Sequence, residues 1–225
     1  MSATSRSAIP TSAERLSGAV YDAVIAPVEA LGLATQRRQL VSAARGRVLE
    51  IGGGTGLTLR HYTAATSVTV CEPDPGLRAR LVNRTARTRV PVTVLDGGVP
   101  GLMEPTGSGP RLKPGSFDTI VCALVLCTVA DVEGALAEMR ELLRPDGSLL
   151  FLEHIVATGR RLAFVQRALT PLWSHVAGGC QLDRDTIGAL RAANFVVTDC
   201  ERLAPAGRLT AGVVVRGRAI PRLAP

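Results

Sequence analysis

Glu50, Glu72 and Asp96 are three carboxylates that each stand at or beside the end of a short apolar run. The first is followed by glycine at 52, 53, 54 and 56. Glycine accepts left-handed backbone and lets a ligand lie directly against the chain. A strand that runs into such a turn, with a helix after it, is a nucleotide cradle. The spacing Glu-x-Gly-x-Gly-x-Gly does not fit the Gly-x-Gly-x-x-Gly of NAD sites, because the sixth residue is Leu57 or Leu59 in the two registers. The Gly-Lys-Ser/Thr of a phosphate-binding P-loop is also missing.

A carboxylate at 50 repels a pyrophosphate and suits a cationic, phosphate-free ligand. S-adenosylmethionine has that character, with an ammonium, a sulfonium and no phosphate. Glu50 is expected to attract the ammonium, directly or through water, with Gly52, Gly53, Gly54 and Gly56 against the amino-acid and ribose portions. Glu72 is placed to accept from both ribose hydroxyls, and Pro73 to lie against the adenine. Asp96-Gly97 is expected at the adenine amino group, and the backbone of Ala123-Leu124 along the methionine arm. All of these positions fall at carboxyl ends of expected strands, where open α/β sheets bind ligands.

The elements that must position them alternate. Strands are expected at 47–51, 68–72, 92–95, 117–123, 148–154, 195–201 and 211–216. Helical patterns lie between most of them: 55–62 after the glycine turn, 75–86 opened by Pro75, and 131–143 capped by Asp131. Pro145-Asp146-Gly147 is expected to end the last of these with a turn. A further helix is expected from an Asp183 cap through Ala193. This alternation predicts an α/β fold, a seven-stranded, mostly parallel sheet with helices on both faces. Pro205-Ala206-Gly207 reads as a hairpin connection and makes the last strand antiparallel. Residues 1–44 read as a helical cap, broken near Pro27, ahead of a domain over 45–225. The segments 104–115 and 156–183 are expected to close over the site.

Bulk properties narrow the classes. With 225 residues and 46% hydrophobic composition the chain can bury a core. No unbroken apolar run reaches the roughly 18 residues of a bilayer span, and residues 1–11 lack a secretory h-region, so a cytoplasmic protein with no transmembrane segment is expected. Net charge is +7, and Lys113 is the sole lysine among 26 basic residues. Arg78, Arg80, Arg84, Arg87 and Arg89 form the densest basic patch. It reads as a solvated helix face, with a nucleic-acid surface as the alternative. At 3% aromatic residues there is little to stack bases on, so no nucleic-acid partner is expected. The five cysteines (71, 122, 127, 180 and 200) have no CxxC spacing, so neither a disulfide framework nor a metal site is expected. Cys71, Cys122 and Cys200 read as core thiols.

Residues 46–155 resemble class I S-adenosylmethionine-dependent methyltransferases of the UbiE-like, type 11 group. The resemblance rests on 48–56, with Gly53 where cysteine or alanine is more usual, on Phe117-Asp118, and on Leu143-Arg144-Pro145-Asp146-Gly147. It implies a Rossmann-like sheet with a reversed last strand, and methyl transfer that leaves S-adenosylhomocysteine. A narrower similarity joins Val121–Val129, Leu152-Glu153-His154, Pro171-Leu172-Trp173-Ser174-His175, Gly179-Cys180-Gln181-Leu182 and Arg184 to the alkyl-thiol S-methyltransferases of the methyltransferase-like family. It implies a small-molecule thiol acceptor. Two departures stand out, the insertion at 104–115 and residues 1–20, which lack the apolar leading segment of animal members. On this reading His154 and His175 are the candidates for taking the acceptor's proton or orienting it. Tyr21 and Trp173 are the candidates for lining its pocket. Open alternatives are C-, O- or N-methylation of a quinone precursor, lipid head group or secondary metabolite. A non-catalytic S-adenosylmethionine-binding module and an NAD oxidoreductase also stay open.

Overall fold

The computed structural model describes residues 12–103, 111–176, 178–203 and 212–222. Seven strands form one sheet: β1 (Gly46–Ile51), β2 (Ala65–Cys71), β3 (Val92–Leu95), β4 (Phe117–Ala123), β5 (Leu143–Ile155), β6 (Phe195–Arg202) and β7 (Val213–Pro221). Their order is β3-β2-β1-β4-β5-β7-β6. The first five pair in parallel, and β7 runs antiparallel to both β5 and β6. This is the expected sheet, with its reversed last strand. The expected 205–207 connection lies outside the described residues, as does 104–110 of the insertion.

The strands read as near-continuous apolar runs because both faces are covered. Alternate residues enter opposite cores. Val48, Val68, Val121 and Leu150 join one, with Leu40 and Leu81 from the helices on that side. Leu49, Ile51, Ile120 and Phe151 join the other, with Leu136 and Leu190. The helices are α1 (Ser12–Val28), α2 (Ala34–Ser42), α3 (Pro75–Thr85), α4 (Val132–Leu142), α5 (Arg160–Val176) and α6 (Thr186–Ala192).

Local chemistry explains the departures from expectation. No helix forms over 55–62; a single 3-10 turn at Leu59–His61 replaces it. Gly56 has φ +82, outside helical space, so no helix can run through it. The N-terminal helices do not break at Pro27, which lies inside the last turn of α1. They break at Gly32, whose φ of 126 only glycine adopts readily. Asp183 does not cap α6. Asp185 does, accepting from the Gly188 amide at 2.8 Å, because a cap must reach an amide two or three positions into the helix. Asp183 is bonded by Thr170 instead. Residues 145–147 form no separate turn after α4; the chain enters β5 directly at Leu143. Cys200 is exposed on edge strand β6, while Cys71 and Cys122 are buried as expected.

Gly18–Ser42, 25 residues that are helical on both sides of the Gly32 kink, is apolar enough by length and composition to cross a bilayer and is mostly exposed. The sequence alone showed no such unbroken run. Asp22 fastens this stretch to the domain. It accepts from the Thr55 hydroxyl at 2.6 Å and pairs with Arg80 and Arg84, each at 2.7 Å. Three arginines of the basic patch are thereby accounted for, since Arg78 pairs with Asp96 at 2.9 Å. Part of the expected solvated face is an ion-pair seam between α1, α3 and the sheet end.

Candidate active site

The glycine turn crosses the carboxyl ends of β1 and β2. Its four glycines do different work. A Cβ at Gly53 would stand 2.2 Å from Val70 Cγ1, so this position is glycine to let the turn press on β2. Gly52 and Gly56 likewise crowd Val125 and Leu81. Gly54 has φ +57, and a Cβ there would meet nothing within 4 Å. Gly54 is therefore the open face of the turn, where a ligand can lie on bare backbone.

Glu72 closes this cradle. Its Oε2 accepts from the Gly54 amide at 2.7 Å and its Oε1 from the Asp74 amide at 2.9 Å. Burial pushes its carboxyl up, while those two donors pull it back. Each oxygen keeps a second lone pair for a ribose hydroxyl. Pro73 is exposed beside Gly98, whose Cβ position is 3.6 Å from its ring. Asp96 is exposed and ion-paired with Arg78, and Gly97 follows at φ 146. Arg78 Nη1 also donates to the carbonyls of Glu72 and Pro73, at 2.6 and 2.9 Å. These four residues thus form one rim beside the open glycine.

Glu50 corrects the sequence reading. Its carboxylate is 2% exposed and lies beneath the turn rather than facing a ligand. Oε1 accepts from Thr58 at 2.6 Å and Oε2 from Tyr62 at 3.0 Å. The period of two along β1 puts Glu50 on the face of Val48, toward Tyr62. Burial raises its pKa against the pull of the two hydroxyls. Glu50 holds the segment after the turn, and its charge acts from below. Tyr21 is exposed on α1, and among the described residues no hydrogen bond ties it to the cradle. Burial opposes ionisation of Asp22, yet the bonds from Thr55 and Arg84 hold its carboxyl below the ordinary range.

The carboxyl ends of β4 and β5 form the other half of the site. Ala123 is buried, and Leu124 follows at φ 62, a conformation rare for a branched side chain. Its amide donates to Leu152 at 2.7 Å, which holds this strained corner on β5. The loop beyond is organised by Glu153, a residue the sequence reading passed over. Its fully buried carboxylate accepts from the amides of Val125, Leu126 and Cys127 at 2.9, 3.0 and 3.2 Å. Burial raises its pKa, and the three amides oppose that. Arg184 binds the carbonyls of Leu126 and Val129 from the other side. The signal for Glu153 was present: an acid inside the apolar run 149–155 must find several donors.

His154 is 8% exposed and its Nδ1 lies 3.5 Å from Cys180 Sγ. Cys180 in turn is 3.5 Å from Cys127 Sγ. The contact with Cys127 and then His154 lower the Cys180 pKa against burial. Trp173 packs on Cys127, Cys180 and Leu182. Its indole Nε1 is buried and, among the described residues, has no partner in hydrogen-bonding geometry. The structure thus brings His154 and Trp173 to one place. It does not bring His175, which is exposed on α5 with Nδ1 2.7 Å from the Pro171 carbonyl of its own helix. Two residues on from Trp173, about 200° round the helix, its ring faces away and bonds its own backbone instead. Gln166, also unforeseen, fixes the return of this segment. It accepts from Ala157 at 2.7 Å and donates to Ile155 and Leu182 at 3.0 and 2.9 Å.

An open glycine turn, a carboxylate able to take a diol and a strained β4 corner stand at the carboxyl ends of the strands, across the sheet's reversal point. A family described as a methyltransferase domain matches residues 28–199. The chain belongs to this methyltransferase family. It is an S-adenosylmethionine-dependent methyltransferase, and the Gly54–Glu72 cradle fits that group. The methyltransferase is 32% identical over 208 residues to human thiol S-methyltransferase TMT1B, which spans 88% of this chain and 83% of that protein. It is 31% identical over 172 residues to human thiol S-methyltransferase TMT1A, covering 72% of this chain and 68% of that protein. Among solved structures it resembles DhpI in complex with S-adenosylhomocysteine, with a TM-score of 0.61, 20% identity and 95% of each chain covered.

Proposed function

We propose that this methyltransferase transfers its methyl group to the sulfur of a small thiol. The observation that carries the reading is the similarity to thiol S-methyltransferase TMT1B across 88% of the chain. S-adenosylmethionine supplies an electrophilic methyl carbon on a sulfonium. The protein's part is placement: Glu72 takes the ribose diol, Gly54 offers bare backbone, and Leu124 borders the arm that carries the sulfonium. Aligning acceptor and methyl contributes on the order of 7 kcal/mol. The acceptor sulfur enters at the ends of β4 and β5, against His154, Cys180 and Trp173. A free thiol is a few per cent thiolate at neutral pH, so this end has only to favour loss of the S–H proton. The acceptor is a small molecule, because the surrounding groups are buried.

The test is incubation with S-adenosylmethionine and a panel of small thiols, phenols, quinols and amines, read by mass spectrometry. Methyl thioethers are the expected products. Methylation of a phenol, quinol or amine with every thiol inert overturns the reading.

A further inference from the structure

The sequence spacing pointed to no metal site, yet the fold collects ligand-type side chains from three distant segments. Among the described residues, Cys127, His154 and Cys180 offer ligand atoms that all lie within 4.8 Å of one another, and all three are buried. Two of these separations are 3.5 Å, sulfur to sulfur and sulfur to Nδ1. Tetrahedral zinc, at about 2.3 Å from sulfur and about 2.0 Å from nitrogen, sets its ligand atoms roughly 3.5–3.8 Å apart. The ligands are fixed at the backbone. Cys127 N donates to Glu153, and Gln181 N donates to the Cys127 carbonyl at 2.9 Å, tying the Cys180 segment to the β4 loop. His154 is held within β5 opposite Val214. Two thiolates and a divalent cation sum to zero, which suits a buried place.

We propose that Cys127, Cys180 and His154 Nδ1 bind one thiophilic divalent cation, of which zinc is the type, with a fourth position open to the acceptor. The two cysteines release their protons to solvent as the metal enters. Two cysteines, one histidine and an open position make a catalytic rather than a closed structural set. Resting on the thiol reading above, the occupant of that position is the acceptor sulfur. R–SH loses its proton to solvent as it binds. Its lone pair then forms the S–CH3 bond while the methyl–sulfonium bond breaks, and the electron pair of that bond stays on S-adenosylhomocysteine. The product thioether carries no charge and dissociates.

The experiment uses the full chain. Zinc is counted by mass spectrometry, removed with a chelator, and replaced by Co2+. One metal per chain and the absorption of tetrahedral, thiolate-ligated cobalt are expected. Addition of a small alkyl thiol should shift the cobalt bands. C127S and C180S should each weaken zinc binding by about 100-fold or more, since even outer partners are worth about 10- to 100-fold. Calorimetry with S-adenosylhomocysteine should give the same affinity within about twofold and so certify their folds. A folded chain that binds S-adenosylhomocysteine but takes up no stoichiometric zinc or cobalt overturns the proposal. So does equal metal uptake by a C127S/C180S chain, or a Cys127–Cys180 disulfide formed by peroxide in place of metal binding. Cobalt bands indifferent to thiol overturn the open position. Full thiol methylation by metal-free enzyme refutes the metal's role and leaves the thiol reading standing. A thiol-responsive cobalt site without any methyl thioether does the reverse.

Discussion

The two halves of the candidate site are built by different means. The cofactor half, around β1 to β3, is made of backbone and carboxylates within 47 residues, from Glu50 to Asp96. The acceptor half, around β4, β5 and α5, is made of side chains from 124 to 184 that meet only in the fold. In the first half the buried acids Glu50 and Glu72 are satisfied by neighbours 2 to 18 residues away. In the second, Glu153 reaches back 26 to 28 residues and Cys180 meets a cysteine 53 residues earlier. A local device can recognise one fixed molecule, whereas a device assembled from distant segments can change its acceptor by changing one of them.

The largest effect that tests this contrast is Glu153→Ala. Three buried amides lose their acceptor, at about 1–3 kcal/mol each. Urea unfolding should show a loss of about 3 kcal/mol or more and abolished methyl transfer. A midpoint within experimental error of the parent would remove Glu153 as the organiser of the acceptor half. Next is Glu72→Gln, which keeps shape and loses charge. Hydrogen bonds to charged groups contribute about 1.5–3 kcal/mol, so calorimetric affinity for S-adenosylhomocysteine should fall about 10- to 100-fold. Unchanged affinity would take Glu72 out of the cradle.

Within the cofactor half, Gly53→Ala and Gly54→Ala should separate packing from binding. The first meets Val70 and should cost about 1–3 kcal/mol in thermal stability. The second meets open space, costs about 1–2 kcal/mol through its φ, and obstructs the cofactor. If Gly54→Ala binds cofactor as well as the parent, the ligand does not lie on that residue. A smaller effect concerns the cover. The folded pKa of Asp22 is lowered, so its contribution to docking α1 is present above its ordinary value of 3.8. That contribution is lost as pH falls through the lower folded value. Asp22→Asn should show the same undocking at neutral pH, about 1–2 kcal/mol, as faster proteolysis within α1. Proteolysis unaltered by either change would mean that other contacts hold α1. The smallest effect is His175→Ala, with stability within about 0.5 kcal/mol and activity unchanged. A large fall in kcat would return His175 to the acceptor half.

Legibility followed the same division. The seven strands and the reversed β7 were readable because apolar runs and turn residues record burial along the chain itself; the order of the strands in the sheet was not. Gly54 and Glu72 were readable because a turn and the next strand end are close in sequence. Glu50 was found but its burial against Thr58 and Tyr62 was not, since its type says nothing of which face of β1 it leaves from. The fold brings His154 and Trp173 together around Cys180, while His175, two residues from Trp173, lies apart. Helix phase, about 200° over those two residues, turns it to solvent.

The sequence by itself determined the sheet, the glycine turn and the carboxylates that ring it, because periodicity and turn chemistry act over a few residues. Only the tertiary structure decided that Glu50 supports the turn from below, that Glu153 gathers three amides, and that Cys127, Cys180 and His154 share one buried place. Those arrangements depend on strand register and on the packing of α5, which bring together atoms whose separation along the chain carries no signal.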